Sequence, residues 1–339
     1  MSVSKYVSSE MKMVEIMKNL QLPFKHVEPG EEVLIITDTS MDPLVWRAVM
    51  ATVAQRGAEP TVALYLPRAH HTAEPTKITA CGASGAQIVV LLTTKALAHS
   101  EFTERKGKWG LLLMEEITVD ILSNPICSIN EEDYRIITER EQKIRNVWKQ
   151  GGDLHLTTPF GTDLRAKLVE TPTRSVDPSP GMLMKNEKTG NRGGTTWPYG
   201  ENRVCPLEGS GEGTVVWDLC GHTPEGFYQE PVRLTVKGGR VVKIDGGKEA
   251  REVERYFAEH GDENWNACPA EISIGTNHKG VPLGAVRSDK KVLGTVHVAI
   301  GHSDVGGNLY SKTHFDGLMT KPTIRVNDTL VTRDGIFQL

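Results

Sequence analysis

A histidine and an aspartate lie two residues apart near the end of the chain, as His314 and Asp316. In an extended segment, residues i and i+2 point to the same face, so the intervening Phe315 points away from both. Residues 295–300, just upstream, form a β-branched and apolar run that predicts a buried strand containing one imidazole, His297. Imidazole and carboxylate groups together are ligands that zinc, iron and similar divalent metals prefer. The spacing therefore predicts a metal site.

Glu271 begins another short apolar segment, residues 271–275. Burying an unpaired carboxylate costs several kcal/mol, so we expect Glu271 to be paired or to bind a metal. His297 has two explanations when it is taken alone. It is either a metal ligand or a core histidine that is bonded to a backbone carbonyl.

Composition excludes several classes of protein. The chain has 339 residues, 38% of them hydrophobic, and a formal net charge of −4, which argues against a nucleic-acid or anionic-membrane partner. Glu10 and Glu15 interrupt the N-terminal segment where a signal peptide needs an apolar core. The five cysteines are widely spaced and odd in number, which favours reduced thiols. We expect a cytoplasmic protein that acts on a small molecule.

The pattern of elements predicts an α/β fold with an N-terminal wound parallel sheet and a C-terminal β-rich α+β domain that binds the metal. Apolar strands alternate with helical segments in the first part, at residues 33–37, 61–66, 88–93 and 111–114. Hairpin patterns dominate after Gly151-Gly152, so we predict domains at 1–151 and 152–339. The first strand is not followed by a GxGxxG loop, so a dinucleotide site is not predicted.

His99 follows the third predicted strand. Ligands of open α/β sheets collect at the carboxyl ends of the strands, so His99 is a candidate despite the frequency of plain surface histidines. The long stretch 171–200 is rich in proline, glycine and threonine, and a loop of that length is usually functional.

Five short motifs, in order along the chain, resemble the aminopeptidase T, or leucyl aminopeptidase, metallopeptidases. They are GTDL at 161–164, PYGE at 198–201, AEISIGTN at 270–277, HVAIG at 297–301 and HFD at 314–316. The resemblance implies two divalent ions, zinc, cobalt, manganese or iron, and a homodimer. Carried over motif by motif, it implies the metal ligands Glu201, Glu271, His297, His314 and Asp316.

This sequence departs from the peptidases at one catalytic position. Their tyrosine, seven residues after the HVAIG histidine, corresponds to Asp304 here, so general peptidase activity is not implied. With a metal-activated water as the nucleophile, His99 or Asp304 is the candidate that protonates the leaving group.

The chain also resembles the 2,5-dihydroxypyridine 5,6-dioxygenases, which cleave a ring with one iron. Their WPxG motif occurs at 197–200, their HxD at 314–316, and their LHS motif resembles Ala98-His99-Ser100. The implied set for one Fe(II) is His314, Asp316 and Glu271. Those enzymes have a histidine in place of Glu271 and a second catalytic histidine in place of Thr196.

Because all five dinuclear ligands are present, the sequence predicts a metal-dependent hydrolase that acts on a small amide, peptide-like or ring substrate. The alternative is a mononuclear Fe(II) dioxygenase that cleaves a hydroxylated pyridine or aromatic ring. A metal-binding protein without catalytic activity is a third possibility.

If His99 transfers a proton, His99→Ala should lower turnover by ~10²–10⁴-fold and leave the metal content unchanged. Turnover and elemental analysis of the variant and the wild type check this expectation. Unchanged turnover would make His99 a surface residue, and lost metal would make it a ligand.

Overall fold

The computed structural model describes residues 8–71, 73–98, 100–104, 109–170, 181–186, 192–303 and 306–339. Over these residues the helices are α1 Ser9–Asn19, α2 Pro43–Gln55, α3 Lys77–Gly82, α4 Glu101–Glu104, α5 Val119–Ser123, α6 Glu131–Lys149, α7 Lys248–His260 and α8 Val286–Asp289, with short 3₁₀ turns at Ala83–Gly85 and Pro125–Cys127.

The strands fall into two groups along the chain. The first group is β1 Glu32–Asp38, β2 Glu59–Tyr65, β3 Ile88–Leu92, β4 Gly110–Leu113, β5 Gly152–Thr157, β6 Asp163–Leu168, β7 Gly194–Thr196, β8 Glu201–Val204 and β9 Glu212–Trp217. The second group is β10 Val232–Lys237, β11 Arg240–Asp245, β12 Glu271–Gly275, β13 Thr295–Gly301, β14 His314–Thr320, β15 Thr323–Val326, β16 Thr329–Arg333 and β17 Ile336–Phe337.

The chain is divided into two compact units. The first comprises Met1–Tyr134 and Ser179–Tyr199, and the second comprises Arg135–Pro178 and Gly200–Leu339. The first unit contains a parallel sheet with the strand order β2-β1-β3-β4-β7. Its central strands β1 and β3 are almost wholly buried, as their continuous apolar sequences predict for strands that are covered on both faces.

Helix α2 shows how the local sequence fixes an element of this unit. Asp42 caps its N-terminus by accepting a hydrogen bond from the Leu44 backbone N–H at 2.8 Å, and Pro43 occupies the first turn. After the helix ends, Gly57 adopts a φ of +80°, which a side chain would strain. The helix packs its buried face, which includes Val45 and Val49, into the core of the unit.

The second unit contains two antiparallel sheets. One has eight strands in the order β11-β10-β9-β6-β5-β15-β16-β17, and the other, the site sheet, has four in the order β14-β13-β12-β8. A continuous apolar core joins them, and α6 and α7 contribute to it. One face of the site sheet packs into this core. The side chains on that face are Val204, Ile272, Ile274, Val296, Val298, Ile300, Phe315 and Met319.

The predicted α/β class is confirmed, because a parallel sheet and a β-rich α+β unit are both present. Among the strands that were not expected from the sequence are β7 and β8, which lie in or directly after the proline- and glycine-rich stretch. Both are short and form by pairing with the longer strands β4 and β12. Neither contains enough residues for an alternation of apolar and polar side chains to be recognised in the sequence.

Across the described part of the chain, no helix combines the length and the apolar character that crossing a membrane requires.

Gly317, in β14, allows the site sheet to approach the eight-stranded sheet. A Cβ at this position would lie 1.9 Å from the indole ring of Trp217, which is fully buried. We expect Gly317→Ala to lower the free energy of unfolding by about 1–3 kcal/mol, because the indole or the strand must shift. Urea unfolding measures the change. The control is Gly194→Ala in β7, where the new Cβ would meet its nearest atom at 3.9 Å. Equal stability of the two variants would contradict the prediction.

Candidate metal centre

Alternation along four strands sorts the side chains of the site sheet onto two faces. Residues i and i+2 of a strand share a face, and directly paired residues of neighbouring strands share it too. The face opposite the apolar core, called here the polar face, carries Glu201 and Arg203 of β8, Glu271 and Ser273 of β12, His297 of β13, and His314 and Asp316 of β14. All five metal ligands predicted from the sequence therefore lie on one face.

The register explains which of these groups meet. Glu271 and Asp316 both pair with Ala299, from the two sides of β13, and His297 is two residues away from Ala299. His297 is therefore a diagonal neighbour of both carboxylates. Its Nε2 lies 2.9 Å from Oε1 of Glu271 and 3.8 Å from Oδ1 of Asp316.

His297 is fully buried, and its Nδ1 has no hydrogen-bond partner among the described residues. The prediction of a core histidine held by a backbone carbonyl is therefore not what the structure shows. The ring instead interacts with carboxylates through Nε2.

The contacts of His314 determine its tautomer. Nδ1 lies 2.7 Å from the carbonyl oxygen of His302, and because a carbonyl only accepts, Nδ1 carries the proton. In the neutral ring, Nε2 then presents a lone pair. That atom lies 3.1 Å from Oδ1 of Asp316, an oxygen that receives no hydrogen bond from any described residue. Two lone pairs at this separation repel each other unless a proton or a metal ion lies between them.

Three cations face the three carboxylates of the polar face. The Lys291 ammonium contacts Oε1 of Glu201, and the side chains of both residues are buried. The Lys290 ammonium lies 2.8 Å from Oδ2 of Asp316. Arg203 lies farther from its partner, with Nε at 4.0 Å from Oε2 of Glu271.

These cations determine the charge state of the carboxylates. Burial alone would raise the pKa of Glu201, but the charges of Lys291 and Lys290 outweigh it and hold this pKa well below its usual range. Burial likewise opposes ionisation of Asp316, whose pKa is nevertheless lowered, chiefly by Lys290. Glu271 follows the same pattern, with burial outweighed by Arg203 and then by His297, so its pKa is also lowered.

The two lysines respond differently to burial. Burial lowers the pKa of Lys291 to about 8, although Glu201 opposes this change. For Lys290 burial acts in the same direction, but Asp316 and Glu201 outweigh it and raise its pKa. Lys290 therefore stays protonated at neutral pH.

Sequence reasoning missed four residues of this site: Lys290, Lys291, Arg203 and His222. The adjacent lysines resemble a solvated charged turn, and only the fold places them against buried acids. His222 reaches the site from the loop after β9, with Nε2 at 3.7 Å from Oδ2 of Asp316. The predicted catalytic residues His99 and Asp304 lie outside the described residues, so their roles remain predictions.

No group of three His, Cys, Asp or Glu side chains within the described residues is arranged as a finished metal site. The side chains of the polar face are instead bonded to one another and to the lysines. Even so, the donor types fit a divalent ion. When two ligand atoms each lie ~2.1 Å from a metal ion and form a right angle at it, they are roughly 3 Å from each other. The 3.1 Å between His314 and Asp316 and the 2.9 Å between His297 and Glu271 match this separation.

An atom without a hydrogen-bond partner supports the same interpretation. Oδ1 of Asp316 is buried and lacks hydrogen bonds to the described residues, which is costly for a polar atom in a protein interior. A bound divalent ion would satisfy Oδ1 of Asp316. His297, His314, Asp316 and Glu271 are the residues that could hold it.

Two solved structures are similar to this chain over nearly its whole length. The 2,5-dihydroxypyridine dioxygenase from Pseudomonas putida KT2440 matches with a TM-score of 0.74 and 21% identity, covering 98% of both chains. Wild-type AmpT from Thermus thermophilus matches with a TM-score of 0.67 and 13% identity, covering 98% of this chain and 100% of that one. Identities this low show a shared fold. Both resemblances expected from the sequence are thereby confirmed.

The search of curated proteins found no significant match. The family model NicX, described as 2,5-dihydroxypyridine 5,6-dioxygenase, matches residues 12–339. Since the match spans nearly the whole chain, the protein belongs to the 2,5-dihydroxypyridine 5,6-dioxygenase family.

Proposed function

We propose that this protein is a mononuclear Fe(II) dioxygenase that cleaves the ring of a hydroxylated pyridine or a related aromatic compound. The observation that carries the proposal is the meeting of two imidazoles and one carboxylate. Nε2 of His314 and Nε2 of His297 lie 3.1 Å and 3.8 Å from Oδ1 of Asp316. Two histidines and one carboxylate form the ligand set typical of non-haem Fe(II) oxygenases.

This set differs from the dioxygenase alternative expected from the sequence, in which Glu271 was the third ligand. His297 lies on the strand between Glu271 and Asp316 and supplies the second imidazole. Glu271, whose Oε1 lies 2.9 Å from Nε2 of His297, would then add a further donor. Ferrous iron held by His297, His314 and Asp316 would supply the chemistry that activates dioxygen and the substrate.

The two carboxylate oxygens of Asp316 have different partners. Lys290 holds Oδ2 at 2.8 Å and keeps the carboxylate ionised, while Oδ1 remains turned toward the two imidazoles. The His302 carbonyl fixes the orientation of His314 through Nδ1. These contacts orient the ligands before any ion binds.

Charge favours an anionic substrate. The three carboxylates of the polar face are matched by Lys290, Lys291 and Arg203, so a divalent ion leaves an excess of positive charge. An ionised ring hydroxyl would neutralise part of that excess. In ring cleavage by a dioxygenase, one ring C–C bond breaks and both oxygen atoms enter the product, so no external reductant is consumed.

A metal-dependent hydrolase of the aminopeptidase T type is the second candidate. It is favoured by the location of all five predicted ligands, including Glu201, on one face of the site sheet. Two metals would activate a water molecule for attack on a small amide or ring substrate. In that arrangement Glu201 would bind a metal through Oε2, which has no hydrogen-bond partner among the described residues, while Oε1 contacts Lys291. A homodimer and a cytoplasmic location remain expectations for either activity.

We expect His314→Ala to lose most of the bound metal and to retain the fold, because the apolar core lies on the opposite face of β14. Elemental analysis of anaerobically purified protein measures the loss, and thermal unfolding checks the fold. The control is His155→Ala, at a partly exposed histidine of β5 that pairs with Asp163. Full metal content in His314→Ala would rule out this site.

With iron bound, we expect consumption of dioxygen when 2,5-dihydroxypyridine is added, about one molecule of O₂ for each ring cleaved. An oxygen electrode and mass spectrometry of the product formed under ¹⁸O₂ measure this, with both heavy atoms expected in the product. His297→Ala should abolish the uptake. Turnover that persists in an anaerobic chamber, or release of an amine from an amide substrate, would instead support the hydrolase.

A further inference from the structure

We propose that Asp262 is a positioning residue for the candidate metal ligand His314. It acts through the loop that joins β13 to β14, residues 302–313, called here the ligand loop, of which residues 304 and 305 lie outside the described residues. The inference rests on the metal centre proposed above and is independent of the reaction that the centre catalyses.

The first step is the dependence of His314 on His302. Nδ1 of His314 donates to the His302 carbonyl at 2.7 Å, and the His302 N–H donates to the Thr313 carbonyl at 2.8 Å. His302 follows the last residue of β13, whereas His314 is the first residue of β14, an outer strand of the site sheet. The contacts of the ligand loop therefore help to fix the His314 side chain.

The second step is that the His302 ring holds the other end of the ligand loop. Its Nδ1 accepts a hydrogen bond from the Ser311 backbone N–H at 3.0 Å, and because this nitrogen accepts, it carries no proton. The ring of His302 thus binds the segment that leads into β14, while its carbonyl binds the His314 ring. A displacement of Ser311 would therefore reach the group that orients the candidate ligand.

Asp262 is the residue that holds Ser311 in place. Its Oδ1 accepts from the Ser311 hydroxyl at 2.7 Å, and its Oδ2 accepts from the Lys312 N–H at 2.8 Å. The Ser311 hydroxyl oxygen also accepts from the Thr313 N–H at 3.3 Å. The three residues that precede His314 are therefore all bonded to Asp262, directly or through Ser311.

The charge of Asp262 strengthens these bonds. Burial would raise the pKa of this carboxyl group, but the hydrogen bonds from Ser311 and Lys312 outweigh burial and lower the pKa. The carboxylate is therefore ionised at neutral pH. Hydrogen bonds to an ionised acceptor are roughly twice as strong as those between neutral groups.

The element that presents Asp262 is packed behind the site. Asp262 follows α7, whose buried Phe257 lies against Phe315 with the ring centroids 5.4 Å apart. Phe315 is the residue between His314 and Asp316, and its side chain belongs to the apolar core. Helix α7 therefore gives the ligand loop a fixed point of attachment.

The test combines two measurements on metal-free protein. Calorimetric titration with Co²⁺ gives the dissociation constant. NMR of protein labelled with ¹⁵N-histidine gives the tautomer of His314, whose signals are identified by their absence from His314→Ala. For Asp262→Ala we expect ~10–100-fold weaker binding, the range typical when a group that orients a ligand is lost. We also expect a mixture of tautomers in place of the ring protonated at Nδ1.

The control is Asp245→Ala, at a partly exposed aspartate of β11 that pairs with Lys243. Both measurements on this variant should match the wild type. Ser311→Ala removes the connection to Asp262 from the side of the loop and should also weaken binding. The double variant Asp262→Ala/Ser311→Ala should bind no more weakly than Asp262→Ala, because both changes break one chain of contacts.

Thermal unfolding establishes that each variant is folded, and Ser311→Ala decides the question if Asp262→Ala does not fold. A merely structural role would lower the melting temperature and leave the dissociation constant and the tautomer unchanged. That result would overturn the inference alone. Failure of the wild type to bind any Co²⁺ would overturn the metal centre and the inference together.

Discussion

Buried negative charge is the constraint on which the site of this protein depends. Glu201, Glu271 and Asp316 lie on one face of a four-stranded sheet, each almost inaccessible to solvent. Ionised carboxylates in a protein interior need positive charge within a few ångströms. Lys290 and Lys291 supply most of it, from a turn that is not part of the sheet. This arrangement holds the carboxylates ionised and in place.

Apolar and polar side chains alternate along each strand of the site sheet, and this alternation makes the concentration of charge compatible with a stable fold. Each strand of the site sheet contributes apolar side chains to the core on one face and polar side chains on the other. Shifting the register of a strand by one residue would move its whole polar set into the core. The same hydrophobic burial that stabilises the second unit therefore also fixes the position of the candidate metal ligands.

The polar face combines features of two chemistries that share this fold. His297 with His314 and Asp316 gives two imidazoles and a carboxylate, which suits one ferrous ion. Glu201 and Glu271 add the carboxylates that a two-metal hydrolase needs. Lys291 contacts Oε1 of Glu201, while Oε2 has no hydrogen-bond partner among the described residues.

The sequence by itself determined the class of fold, because strand alternation and helix caps are local signals. The five candidate ligands were implied by the order of short motifs that resemble known metalloenzymes. It predicted that His314 and Asp316 share a face, and the i, i+2 spacing alone is sufficient for that. It could not identify β8, whose four residues form a strand only by pairing with β12. Nor could it distinguish Lys290 and Lys291 from a solvated charged turn. Their partners lie 26 and 90 residues away, so only the tertiary structure places these ammonium groups against the carboxylates and sets the charge of the site.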